Sequence, residues 1–332
     1  MSSWEICLPS RGVSPADAIN LASLVEDLGY GGIWASEVAG HDAVALLAAI
    51  AMRTSRIRLG TAIIPLTTRS PALLAMGAAT LAHLAPGRST IGLGVSSRAI
   101  VEQWHDRSFR NPLSATSDAL NIIHQAFSGD ATEYQGRVFG SHGFKLENPP
   151  DIRPDFYLAA LGPAMRGLAT EQCDGVILNF LPRSRSTEVV AQATPSRRFE
   201  VTALVRVSVE GEAPGGVGRL RKELASYLRL EQYSKWLAGF GYGDALAALQ
   251  GASGLEEMAA RVPNDLLRDV SVLGDARSCR TQLEQMCAAG VTPLVVPDVP
   301  TGDMAAMERV IRALAPTKSQ KAHTSTLEGT WL

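Results

Sequence analysis

Apolar positions along the chain follow two patterns in alternation: short continuous runs, and longer stretches with helical spacing. Trp4–Leu8 is a short apolar run and reads as a strand. Ser14-Pro15 then opens a helix, a hydroxyl cap followed by proline at the first helical position. In that helix Ile19, Leu21, Ala22, Leu24, Val25 and Leu28 share one face, and Gly29 is the stop. The unit recurs as strand Gly31–Ala35 with helix His41–Arg53, and as strand Ile57–Ile64 with a helix from Ser70-Pro71 to Leu84. Ile57–Ile64 is almost uninterruptedly apolar, as expected of a strand buried on both faces. Arg88–Gly92 is a fourth strand, and later come Phe156–Ala160 with helix Pro163–Gln172 and Gly175–Leu178 with helix Ser186–Gln192. Strands Glu200–Val209 and Thr292–Val296 complete the series. Eight strands alternating with helices predict an α/β fold, a closed parallel (β/α)8 TIM barrel. An open doubly wound sheet is the alternative; against it, no Gly-x-Gly-x-x-Gly follows the first strand with an acidic residue downstream.

Two segments interrupt the alternation. Tyr134–Pro150, broken by Gly136, Gly140 and Gly143, reads as a hairpin or long loop. Ala213–Asp269 is mostly helical and lies between strands seven and eight, an insertion above the barrel and not a second domain. Residues 1–315 therefore form one domain, and 316–332, polar and without periodicity, form a tail or an arm packing on a partner.

Composition narrows the function. With 46% hydrophobic residues and 19% charged, the chain has ample apolar surface for a core. A net charge of −2 without a basic stripe disfavours nucleic acid as a partner. Cys7, Cys173, Cys279 and Cys287 lie far apart, which argues against a disulfide framework or a zinc site and for reduced thiols in the cytoplasm. The N-terminus does not read as a signal peptide, and no apolar run is long enough to predict a membrane span.

In this fold the reacting groups come from the loops after the strands. That rule selects Ser36, Glu37, His41 and Asp42 after strand two, and Thr61, Ala62, Ile63, Ile64 and Pro65 after strand three. It also selects Gly94, Val95, Ser96 and Ser97 after strand four, Ala160, Leu161, Gly162 and Pro163 after strand five, and Asn179 and Phe180 after strand six. Glu37 is the first candidate for proton handling, with His41 and His105 next, whereas Asp42 is as well placed to cap the following helix. Gly162-Pro163 opens a helix whose unpaired N–H groups suit a phosphate. The same residues read equally as barrel core at 61–63, an ordinary strand-to-helix turn at 162–163 and solvated serines at 96–97.

Several of these segments resemble one family. Gly32-Ile33-Trp34-Ala35-Ser36-Glu37 with Gly40-His41-Asp42, Ile57–Ile63 with Arg69-Ser70-Pro71, and Gly87–Gly94 with Val101-Glu102-Gln103-Trp104-His105 are similar to successive segments of luciferase-like barrels. So are Leu158–Met165 with Cys173-Asp174-Gly175-Val176, Tyr233, Gly239-Phe240 and Gly290-Val291-Thr292, so that the resemblance runs from residue 3 to about 315. It is nearest to the branch that uses the deazaflavin coenzyme F420, with the FMN-dependent monooxygenases as the alternative. The resemblance implies a bulged third strand with a non-prolyl cis peptide at Ala62–Ile63 behind a redox ring, donors to the cofactor from Gly94–Ser97, and a phosphate site at Ala160–Pro163. It also implies a small-molecule substrate and a homodimer. Family members that oxidise alcohols carry an Asp-His pair at the end of strand two; Glu37-Val38 stands there, which tilts the expectation towards reduction of an activated double bond, carbonyl or imine.

Overall fold

In the computed structural model, residues 3–193, 197–249 and 251–316 are described; most of the expected tail, 317–332, lies outside them. Eight parallel strands close on themselves: β1 (Glu5–Leu8), β2 (Gly32–Ala35), β3 (Arg58–Thr61), β4 (Ser89–Gly94), β5 (Asp155–Ala159), β6 (Gly175–Asn179), β7 (Glu200–Val209) and β8 (Val291–Pro297). Each pairs with the next, and β8 returns to β1 with Leu294 opposite Glu5. The (β/α)8 barrel expected from the alternation is the fold observed.

Around it lie α1 (Pro15–Leu28), α2 (Ala43–Ala51), α3 (Pro71–Leu84), α4 (Pro112–Phe127), α5 (Pro163–Gln172) and α6 (Ser186–Ala193). The starts are set by the caps legible in the sequence: the Ser14 and Ser70 hydroxyls accept from Asp17 and Leu73 N–H, with proline following each. Asp42 takes the same role for α2, accepting from Ala45 N–H, so this helix starts two residues later than His41.

Three details correct the sequence reading. The third strand is not continuous from 57 to 64: it stops at Thr61, and Ile64–Pro65 resumes as a separate short strand paired to β4. A further strand, Ser271–Gly274, follows the helical insertion and pairs with the last residues of β7. Residues 100–104 form a wide π-helical turn that the periodicity gave no sign of. The expected hairpin is present as Glu133–Gln135 against Gly140–His142, and the Asp118 carboxylate of α4 anchors it through the N–H groups of Val138 and Phe139.

The barrel interior has two storeys. At the N-terminal end Arg58 donates to Glu5 and Glu200 at 2.6 and 2.7 Å, and Tyr157 donates to Glu200 at 2.7 Å. Above this polar floor Cys7, Trp34, Ala62, Tyr157, Ile177 and Leu294 form an apolar plug, with Ile63, Ala159, Leu204 and Val296 packed against it. The plug closes the barrel from below, so any reaction space lies on its C-terminal side.

Candidate active site

The mouth of the barrel begins where β3 breaks. The Ala62–Ile63 peptide is cis, at the position that the family resemblance implied. Thr61 is fully buried and is spent on structure: its hydroxyl accepts from Gly92 N–H and donates to Gly92 carbonyl, both at 2.8 Å, bridging β3 to β4 where the strands part. A Cβ on Gly92 would stand 2.0 Å from the Thr61 carbonyl oxygen, so only glycine lets the two backbones meet. Ile63 is half-buried and packs beside Gly94 and Ala159: a Cβ on Gly94 would lie about 3 Å from both. Ile63, Gly94 and Ala159 thus make a flat apolar ledge at the rim of the plug. Val95, Ser96 and Ser97 are half-buried beyond it; Ser96 has a left-handed backbone and Ser97 caps the π-helical turn through Ile100 N–H.

The corner after β2 is an ion-paired block. Both oxygens of Glu37 accept from Arg69, one at 2.8 Å, and the Ala43 N–H donates to it at 2.9 Å. Arg69 also holds Asp42 at 2.5 Å. Burial works to raise the Asp42 carboxyl, but the Ala45 N–H and Arg69 outweigh it and hold it below its ordinary value. His41 bonds through Nε2 to the Val13 carbonyl at 2.6 Å, tying the corner to the loop after β1. The structure therefore engages two of the three proton-handling candidates in positioning contacts. His105 is exposed at the end of the π-helical turn, and its ring makes no hydrogen bond among the described residues.

Directly after Ala159 of the ledge, Ala160 is buried and Leu161 packs on the core, while Gly162 is the N-cap of α5 with no side-chain cap and open space around its Cα. Pro163 follows at the first helical position. In the first turn Arg166 donates to the Leu161 carbonyl and lies over the Trp236 ring at 5.1 Å.

Of the remaining wall, Asn179 and Phe180 were selected after strand six, but Arg206 and its partner Glu223 were missed in the sequence. Arg206 shares a face of β7 with Leu204 and is buried at the mouth. It donates to Asn179 Oδ1 and, at 2.9 Å, to Glu223 of α7 (Gly216–Leu228), and it stacks 4.2 Å from the centre of Phe180. Burial works to lower the Arg206 guanidinium, but Glu223 reverses this and keeps it charged. Asn179 in turn accepts Arg206 and donates to Tyr233, whose hydroxyl burial pushes up to about 12. A lone arginine inside the otherwise uncharged run Val201–Val209 was the signal available. α7 reaches this wall because Gly216 sits on β7 and β8: a Cβ there would be 1.8 Å from Ser208 Oγ. Arg219 fixes the same end through Asp298 at 2.9 Å. Among the described residues no group of His, Cys, Asp or Glu is arranged to hold a metal ion, and no helix is long and apolar enough to cross a membrane.

A closed parallel barrel plugged from below, with its polar groups gathered at the mouth, places the candidate site at the C-terminal ends of the strands. Residues 4–293 match the luciferase-like monooxygenase family, and the chain belongs to that family of oxidoreductases. A Mycobacterium tuberculosis protein provisionally named coenzyme F420-dependent oxidoreductase is 29% identical over 85% of this chain and 90% of its own. A 5,10-methylenetetrahydromethanopterin reductase of Archaeoglobus fulgidus is 32% identical over 56% of this chain and 58% of its own. In fold, the chain is similar to the coenzyme F420-dependent tetrahydromethanopterin reductase of Methanopyrus kandleri, with a TM-score of 0.74 at 23% identity, covering 95% of this chain and 97% of that one.

Proposed function

We propose that the chain is an F420-dependent oxidoreductase that transfers a hydride between the deazaflavin and a small organic substrate, in the direction of reduction. The likeness that carries this reading is the one to the Mycobacterium tuberculosis protein, because it spans nearly the full length of both chains. The residues of the mouth fit the group. The ledge of Ile63, Gly94 and Ala159 suits one face of a planar ring, and Thr61 and Ala62 hold that ledge from behind. The uncapped start of α5 at Gly162, preceded by Ala160 and Leu161 and followed by Pro163, suits a phosphate. Val95, Ser96 and Ser97 line the path between the two.

Bound there, a deazaflavin supplies the hydride-carrying ring carbon, and the chain has only to hold, orient and manage protons. We assign Glu37 and His41 to orientation: with Arg69 they lock the loops after β1 and β2 in one arrangement. His105, on the turn after β4, is the proposed proton exchanger. The absence of an Asp-His pair at Glu37-Val38 favours reduction over alcohol oxidation. We further propose a homodimer as the working form, supported by a stripe of exposed apolar residues on α3, Leu73, Met76 and Leu84.

Titration of the purified chain with F420 and, separately, with FMN tests the cofactor, each followed by its own fluorescence. F420 is expected to bind at least about tenfold more tightly, a difference of roughly 1.4 kcal/mol. Tight FMN binding with weak F420 binding would overturn the reading in favour of an FMN-dependent monooxygenase.

A further inference from the structure

A cavity of about 530 Å³ opens beside the mouth, between the loops after β1 and β8 and the inner face of α7. Its walls are apolar at Val13, Val38, Met304 and Met307, and polar at Arg11 and Asp303 of the loops and where α7 passes, at Glu223 and Tyr227. These two lie one helical turn apart and present the same face. Glu223 links the cavity to the mouth: one carboxylate oxygen, Oε1, accepts from Arg206 Nε, while Oε2 and the Tyr227 hydroxyl have no hydrogen-bond partner among the described residues. The position of this wall is fixed, since Gly216 and the Arg219–Asp298 pair leave α7 no room to slide on β7 and β8.

We propose that this cavity is the substrate compartment, and that it selects a small, largely apolar molecule carrying a hydrogen-bond donor, a hydroxyl or amino group, which Glu223 Oε2 accepts. The volume is that of an ordinary small-ligand site, with apolar walls for a ligand's body and polar groups to fix its orientation. Arg206 Nε holds the other carboxylate oxygen of Glu223 at 2.9 Å, so the acceptor is preorganised, and a hydrogen bond to a carboxylate is the strong kind. A partner lacking the donor would leave that oxygen desolvated and unpaired. The assignment as substrate compartment rests on the oxidoreductase reading; binding to the cavity does not, and it can be measured without cofactor.

The experiment is isothermal titration of the cofactor-free chain with 2-naphthol and with 2-methoxynaphthalene, matched in shape but differing in the donor. 2-Naphthol is expected to bind at least about tenfold more tightly. Glu223→Gln should remove most of that preference. Because this change also touches the buried Arg206, Ser226→Trp serves as the second variant: Ser226 is exposed at the cavity edge, and an indole there fills the space without disturbing packing. It should abolish 2-naphthol binding while F420 titration stays as in the unsubstituted chain. Equal affinity for the two probes, binding of neither, or unchanged 2-naphthol binding in Ser226→Trp would each overturn the proposal. A loss of F420 binding by the unsubstituted chain would count against the cofactor reading alone.

Discussion

Arg58 sits between two carboxylates at the floor of the barrel, and the two respond to it differently. Burial works to raise Glu200, but hydrogen bonds and charge from Arg58, with the Tyr157 hydroxyl, overcome it and bring the carboxyl down to about 2. For Glu5 burial wins, and its carboxyl lies above the usual value. The signs then follow from linkage. Glu200 is lowered, so its contribution is present above the unfolded value of 4.5 and fades as pH falls towards 2. Glu5 is raised, so its own share runs the opposite way. A depression of the Glu200 size corresponds to about 3 kcal/mol. Glu200→Gln is therefore expected to lower stability at pH 7 by about 1–3 kcal/mol and to flatten the loss of stability between pH 4.5 and 2, measured by urea unfolding across that window. An acid limb as steep as that of the unsubstituted chain would show that other carboxylates carry it. At this scale the sequence was half legible. Capping residues such as Ser14, Asp42 and Ser70 act on neighbours within one turn, so their roles are written locally. The partners of Glu37 and Arg206 come from the loop before α3, from β6 and from α7, distant in the chain, and no local pattern names them.

Among the elements, α7 shows how backbone proximity and helix propensity compete within one turn. Gly216 touches Ser208 and Asp298, whereas a Cβ on Gly218 would meet nothing within 4 Å. The same substitution should therefore have opposite signs two residues apart. Gly218→Ala is expected to stabilise by about 0.5–1 kcal/mol through helix propensity. Gly216→Ala is expected to cost about 1–3 kcal/mol by overpacking. Urea denaturation of the two variants side by side checks this, and equal shifts would mean that α7 is not seated as described. The sequence signalled a helical insertion but not its seating, because both glycines look alike in a run of Gly215-Gly216-Val217-Gly218. The break in β3 was hidden for a related reason: Ala62–Pro65 is apolar throughout, and periodicity cannot separate a bulge from a strand buried on both faces. The strand Ser271–Gly274 was too short to stand out from the helices before it.

For the whole molecule, the alternation of strand and helix sufficed to read the barrel, because only one closed parallel arrangement buries eight such strands on both faces. Association is not written that way. Leu73 and Met76 are 50% and 49% exposed on one stripe of α3, and two such stripes facing each other would bury both. The double variant Leu73→Lys, Met76→Lys should run as a monomer in light scattering after gel filtration where the unsubstituted chain runs as a dimer; an unchanged mass would place the dimer elsewhere or remove it. The edge strand after the insertion has one more consequence. Ser271 lies level with Arg206 and Gly274 with Val209, and the two segments run in the same direction. A chain leaving the top of β7 must therefore travel back down before it can re-enter, and no tight turn joins two strands so oriented; a crossover of about a dozen residues is the minimum. The excursion can be exchanged for another of different length, but it cannot be trimmed to a stub: among chimaeras joined at residues 210 and 271, every graft too short for the return journey should fail to fold, and a longer one must also cover Arg206 and the apolar surface that α7 buries.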